Sequence, residues 1–297
     1  MADITETSLL PENRKQPRRA ALDWLGLVPF MAFAVLFLLY PTAHIVIGAF
    51  RATDGGLTLD YMAGLFTPNI IKAFTLSLEV SLLTAGLGLA LGLALALAVV
   101  RGGLPGFIRS ALLTFSGVAS QFAGVPLAFA FIATLGRLGF VTVLLKAIGI
   151  DLYGAGFNLI TLSGLVLVYL YFQIPLMVLI ITPAIDGLRT DWAEAAESLG
   201  ATTAYYWRRV ALPVLWPSLA GSFALLFANA FGAVATAMAL TGSSLSLMPI
   251  LLFAQIRGDV LNSQQLGYAI ACLMIAVTGI ANLLYIVLRA RADRWTK

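Results

Sequence analysis

The sequence predicts an all-α membrane protein with six transmembrane helices, and three observations carry that prediction. Hydrophobic residues make up 60% of the 297 and charged residues only 11%. A soluble domain carries roughly 25% charged residues, so this chain lacks the polar surface to cover itself in water. Its apolar residues gather into stretches that reach the ~20 residues a bilayer-spanning helix needs at about 1.5 Å rise per residue. Basic residues alternate from one connection to the next, which gives each connection a side.

The spans follow in order at 25–49, 73–100, 110–135, 161–185, 218–240 and 266–288. The first apolar run follows a polar, basic stretch and is too long for the core of a cleavable signal. The second reads as an alternation of Leu with Gly or Ala from Gly86 to Ala98. Taken alone that pattern suggests a strand, but an open strand leaves its backbone unsatisfied in hydrocarbon. On a helix it becomes two neighbouring stripes, Gly86, Ala90, Ala94 and Ala98 beside Gly88, Gly92 and Ala96. Small residues four apart admit another helix at close range, so this helix is expected in the core of the bundle.

Orientation follows from the basic residues. The N-terminal tail, the second-to-third and fourth-to-fifth connections and the C-terminal tail hold 13 of the 18 Lys and Arg. The opposite side holds Arg51, Lys72, Arg137, Lys146 and Arg257. By the positive-inside rule both termini are expected in the cytoplasm. The outer connections at 51–69, 137–159 and 241–265 are too short for a folded domain of their own, and 57–66 and 150–157 are candidate surface helices. A lone Cys272 excludes an internal disulfide, and a lone His44 excludes a histidine metal cluster. The net charge of +4 is small and positional, which points to orientation and away from nucleic acid.

Between the fourth and fifth spans lies the most polar internal segment. Asp191 three residues before Glu194 suits a capping box. Trp192, Ala195, Ala196 and Leu199 then recur at i, i+3, i+4 and i+7, one face of an amphipathic helix. Gly200 is placed to end it in the left-handed region. Thr203 is positioned to cap a second short helix through Arg209, which Pro213 and Pro217 would keep from running into the next span. Two short helices at an angle would thus present a small apolar patch flanked by Glu194, Glu197, Arg208 and Arg209. Such a patch suits docking of a partner, with the charges fixing register. It would equally suit a helix lying on lipid headgroups.

The spacing Glu194-Ala195-Ala196, three residues, Gly200, nine residues, then Val210-x-Leu212-Pro213 resembles the cytoplasmic signature of binding-protein-dependent ABC transporter permeases. Val210 stands where that signature usually has Ile. The resemblance extends to the six-span layout and to the place of the motif before the penultimate span. It implies a type I ABC importer permease fold, with a cytoplasmic tail at 1–22, a first helix and outer loop at 23–72, and a permease core at 73–289. That core would carry coupling helices at 191–210, and a cytoplasmic tail would follow at 290–297. It further implies that Asp191, Glu194, Ala195, Ala196, Glu197, Leu199, Gly200, Arg208, Arg209, Leu212 and Pro213 couple to a dimeric ATP-binding cassette ATPase. ATP and Mg²⁺ would sit on that partner. A second permease, favoured as a different chain over a copy of this one, and an extracytoplasmic solute-binding protein complete the implied assembly. Its implied place is the inner membrane of a bacterial cell.

The residues agree with that division of labour. None of Lys15, Lys72, Lys146 and Lys297 follows a glycine, so no Gly-x-x-x-x-Gly-Lys phosphate loop exists. The chain is read as a transport subunit and not an enzyme, with no cofactor of its own. An ATPase-independent secondary transporter is the alternative; it would call for an internal repeat or a midplane ion site, and the sequence offers neither. Intramembrane polar residues mark where solute passes. Glu79, Gln121, Gln173 and Asn229 are the candidates, Gln121 and Gln173 lying just before the helix-interrupting Pro126 and Pro175. By resemblance the substrate class includes polyamines, iron, thiamine and phosphonates, and the acid at Glu79 favours a cationic or zwitterionic solute.

Overall fold

The computed structural model describes residues 17–52, 55–242, 244–257 and 264–292. Most of the N-terminal tail and the end of the C-terminal tail therefore lie outside the described residues. Among those described, six helical stretches are long and apolar enough to cross a membrane: Gly26–Gly48, Pro68–Arg101, Val125–Ala147, Leu162–Asp186, Thr203–Gly232 and Gln265–Arg291.

Helix α1, Pro17–Ala34, begins inside the expected tail and passes through a π-helical turn, Val35–Leu39, into α2, Tyr40–Gly48. The π turn sits directly before Pro41. Tyr40 donates its N–H to the Val35 carbonyl, five residues back. That wider register removes the carbonyl against which a proline ring collides in an α-helix. No residue in the most apolar window of the first span is fully buried, and the span meets the bundle where α2 lies on α14. Of the two expected surface helices, the first is a single turn, α3 (Asp60–Gly64), and residues 150–157 form turns and no helix.

Helix α4 runs from Pro68 to Arg101. Then α5 (Gly106–Gln121) and α6 (Val125–Leu135) replace the single span expected at 110–135. Gly124 at φ +77° and Pro126 in the first turn of α6 interrupt it. One supplies a left-handed residue, and the other lacks an N–H to continue the ladder. α7, Phe140–Ala147, follows across a tight glycine connection, so the long apolar stretch here is α6–α7 and lies further along the chain than expected. α8 is Leu162–Asp186.

The chain continues through α9 (Thr190–Ser198), α10 (Thr203–Tyr206), a second π turn at Trp207–Ala211, and α11 (Leu212–Gly232). Pro213 does not separate the short helix from the span. As at Pro41, the preceding residue bonds five back, Leu212 N–H to the Trp207 carbonyl, and 203–232 is one continuous rod. At Ala233 it breaks, and α12 (Val234–Thr241), α13 (Met248–Arg257) and α14 (Gln264–Ala292) complete the chain.

α4, α8 and α11 pack mutually at the centre, with α5 on α8, α14 on α11 and α2 on α14. The stripe Gly88, Gly92 and Ala96 faces α8 and is buried. A Cβ on Gly92 would lie 2.5 Å from Met177 Cβ, a distance only hydrogen permits. The neighbouring stripe is not used inside the chain: Ala90, Ala94 and Ala98 are exposed. The core has two main clusters along α8 and α11 and a smaller third one of Ile70, Ala73, Met248 and Ile270. One of the main two gathers Val80, Leu127, Val168, Tyr169, Phe172, Ala230 and Ala237; the other gathers Ala85, Met177, Ile181, Ile185, Leu188, Tyr206, Leu215 and Leu226. α8 and α11 cross from one cluster to the other at Gln173 and between Leu226 and Ala230.

Candidate functional site

The α9–α10 elbow occupies one end of the bundle, and its shape follows from its sequence. α9 starts at Thr190 after Arg189 in extended conformation, so Asp191 lies within the first turn and is not the cap. Its carboxylate pairs instead with Arg189 Nη2 at 2.6 Å, and that hydrogen bond holds the Asp191 pKa below the ordinary carboxylate value. No side-chain cap closes this helix start, so the expected capping box does not form. An acid in the first turn still complements the helix dipole.

The other end matches the expectation closely. Gly200 takes φ +77°. Its N–H bonds the Glu197 carbonyl at 2.8 Å, and Ala201 N–H bonds the Ala196 carbonyl at 2.9 Å. This pair of bonds is a Schellman stop. The next helix is capped by Thr202, one residue earlier than expected, its hydroxyl accepting from Tyr205 N–H at 3.3 Å.

The elbow has an inner and an outer side. Trp192, Ala193 and Ala196 pack against the cluster of Leu188, Tyr206, Ala211 and Leu215. The four residues expected on one face therefore split: Trp192 and Ala196 turn inward, with Ala193 beside them, and Ala195 and Leu199 turn out. A nine-residue helix against a core can bury only one arc, and the core lies on the Ala193 side. The outer side carries Asp191, Glu194, Ala195, Glu197, Gly200, Arg208 and Arg209, all exposed, and Leu199 at 88% exposure is its most prominent apolar group. Leu212 and Pro213 extend it along the base of α11, while Val210 is half-buried.

The four intramembrane candidates do not converge on one pocket. Glu79 is exposed on α4, Gln121 ends α5 exposed, and Asn229 is exposed one turn before the break at Ala233. Gln173 is different. It is fully buried, its Nε2 donates to the Leu226 carbonyl at 2.8 Å, and it bridges α8 to α11. On its other side α4 comes close: a Cβ on Gly88 would meet Gln173 Cβ at 3.0 Å. Within this chain it links two helices and reaches no open surface.

Contacts that the sequence reading missed lie at the helix breaks and at the elbow's root. Gly124 N–H, freed by the break after α5, donates to Thr236 Oγ1 of α12 at 2.7 Å. Tyr169 Oη donates to the carbonyl of Ala233, at the other break, at 2.6 Å. The two interrupted rods are thus tied side by side. At the elbow's root Arg101 donates to the Leu188 carbonyl at 2.8 Å, and Arg109 forks onto both Asp186 oxygens at 2.8 Å. The one signal for the latter was an acid ending span four on the side where arginines collect.

Residues 88–294 match the family described as binding-protein-dependent transport system inner membrane component. The chain belongs to this family. Among the permease's relatives, the sulfate transport system permease protein CysW of Synechococcus elongatus is 24% identical over 90% of this chain and 89% of its own. The molybdenum transport system permease protein ModB of Mycobacterium bovis is 28% identical over 48% of this chain and 50% of its own. A probable sulfate transport system permease protein cysT of Chlorella vulgaris is 35% identical, over 29% of its own length. The chain thus spans half or less of two of these relatives. A bacterial ABC transporter involved in import of the acidic polysaccharide alginate has a similar chain, with TM-score 0.66 at 18% identity, covering 94% of this chain and 98% of that one. That likeness shows the fold, a six-helix importer-permease architecture. Six apolar helices and the family together make this a multi-pass membrane protein.

Proposed function

We propose that the permease forms, with a second permease chain, the pathway of an ABC importer for an anionic solute, and that the α9–α10 elbow is the lever moved by a partner ATPase. The observation that carries this reading is the elbow itself. Its inner side is fused to the core shared by α8 and α11, and its outer side presents Glu194, Ala195, Glu197, Leu199, Arg208 and Arg209 to a partner. A loop helix resting on headgroups would turn its apolar side to lipid; here that side is spent on the core. With 13 of 18 basic residues on the elbow's side of the membrane, the lever would face the cytoplasm. ATP and Mg²⁺ would bind to the ATPase dimer and not to this chain. A solute-binding protein would deliver at the opposite face, as supported by the alginate transporter solved in complex with its pentasaccharide-bound periplasmic protein.

The substrate reading moves away from the polyamine class. Relatives carry the names of sulfate and molybdenum transport, and the alginate transporter imports an acidic polysaccharide. We infer an oxyanion or other acidic solute, for which Glu79 is a poor ligand. Glu79, Gln121 and Asn229 are open within one chain, and a second permease would close over them. The test is uptake into proteoliposomes holding this permease and its co-purified companions. Sulfate or molybdate should be taken up in a receptor- and ATP-dependent manner, and spermidine should not. Uptake of spermidine alone would overturn the substrate reading, and uptake without ATP would restore the secondary-transporter alternative.

A further inference from the structure

We propose that Arg101 and Arg109 form a coupling clamp: they fasten the end of α8, from which the elbow hangs, to the α4–α5 connection, so that elbow movement is delivered to α4 and α5 as well as to α8 and α11. The inference rests on the lever reading of the elbow and names residues through which the lever would act.

The geometry is specific. Asp186 is the last residue of α8, and three residues separate it from Thr190, where α9 begins. Arg101 is the last residue of α4. Its Nη2 donates to the Leu188 carbonyl at 2.8 Å, just past the end of α8, and to the Ile185 carbonyl at 3.3 Å, which also accepts from Leu188 N–H at 3.2 Å. Arg109 lies in the first turn of α5 and reaches both Asp186 oxygens at 2.8 Å. Gly102-Gly103-Leu104-Pro105 join α4 to α5, a connection short enough to keep the two helix ends beside each other. An acid in the last turn of a helix opposes the dipole, so Asp186 does nothing for α8 alone. Its use is the guanidinium opposite it.

A second flank of α8, beside the packed contact of Ile185 with Leu215, borders an open cleft. Beside Pro183, Ala184 and Gly187 a cavity of about 360 Å³ separates this helix end from Ser218 of α11 and from Arg289 of α14. The end of α8 is therefore held toward α4–α5 and has room toward α11–α14. A pull on the elbow swings it into that room and draws on the two arginines. α5 carries Gln121 at its far end and α4 carries Glu79, so the clamp links the lever to two of the helices assigned to the pathway.

The side chains of Arg109 and Asp186 are 36% and 45% exposed. Pairs so open to water add little to stability, which makes their loss readable as a coupling defect. The experiment compares Arg109→Asp, Asp186→Arg, their double swap, and Arg109→Lys in the reconstituted assembly. It measures solute transported per nucleotide hydrolysed, together with co-purification of the ATPase. Each single reversal is expected to lower the ratio about tenfold, within the usual range of inter-site coupling, with the ATPase still bound and turning over. The swap should restore most of the ratio, and Arg109→Lys, which keeps the charge on a shorter side chain, should fall between. An unchanged ratio in both reversals overturns the clamp alone. A loss that the swap does not recover overturns it too, by assigning the residues a merely structural part. An unmodified assembly with no nucleotide-hydrolysing subunit removes the lever reading, and the clamp with it.

Discussion

Gly92 and Gly86 lie six residues apart on one helix and face different fates. At Gly92 an added carbon meets Met177 Cβ at 2.5 Å and the Ile174 carbonyl oxygen at 3.0 Å, whereas at Gly86 it meets nothing within 4 Å. Overpacking a tight core costs about 1–3 kcal/mol. Gly92→Leu should therefore lower the unfolding temperature of the detergent-purified permease by several degrees, and Gly86→Ala should leave it unchanged; equal shifts for the two would contradict the packing. The need for close approach was legible in the small residues of this helix. Which of two adjacent stripes meets α8 was not, because the stripes lie side by side on the wheel and the partner is some eighty residues away. Gly200 was legible to the residue, since a left-handed stop is a local demand. At φ +77° a β-branched side chain costs roughly 1–2 kcal/mol. Gly200→Val should weaken ATPase co-purification more than Gly200→Asn, which tolerates that conformation. Equal binding in both variants would mean that the stop has no part in docking.

Prolines act on the elements in two ways that sequence alone does not separate. Pro126, next to the left-handed Gly124, helps to break a helix, while Pro41 and Pro213 are absorbed by π turns that keep their rods continuous. The expected separation of α10 from the next span failed for that reason. The consequence is mechanical: 203–232 is a single rod, so the elbow's second helix moves with the span and not about a hinge. At the breaks, the hydrogen bond from Gly124 to Thr236 ties the two interrupted rods at 2.7 Å. The Thr236 hydroxyl is the acceptor of that bond, and a buried amide left without one costs about 1–3 kcal/mol. Thr236→Val should destabilise the permease by that order in denaturant unfolding, and Thr236→Ser should restore most of the loss. A neutral Val variant would show that the tie carries no weight. The number of spans was legible from apolar length, whereas the interruptions were hidden by the continuous hydrophobicity of 110–135 and 218–240.

At the scale of the molecule, the chain is a bundle with one worked end and much unfinished surface. Its first span is mostly exposed apart from the contact of α2 with α14, one stripe of α4 is open, and Glu79, Gln121 and Asn229 face outward. Within one chain these three residues gather on no enclosed site, which is why they were less legible than the elbow; on the proposed reading a second permease would complete their setting. The elbow is complete in itself, with a capped turn, a core-facing side and an exposed side. Its Gly200 stop could be read locally, whereas the start of α9 and the face turned to the core could not, because both depend on the packed helices around it. The direct test of the lever is to replace Leu199, the most prominent apolar group of the elbow's outer side, with a photo-crosslinking residue in the intact membrane assembly. Irradiation should join the permease to the nucleotide-hydrolysing subunit, and the yield should change when that subunit is trapped with nucleotide. Capture of lipid or of the second permease alone, in every nucleotide state, would contradict the account.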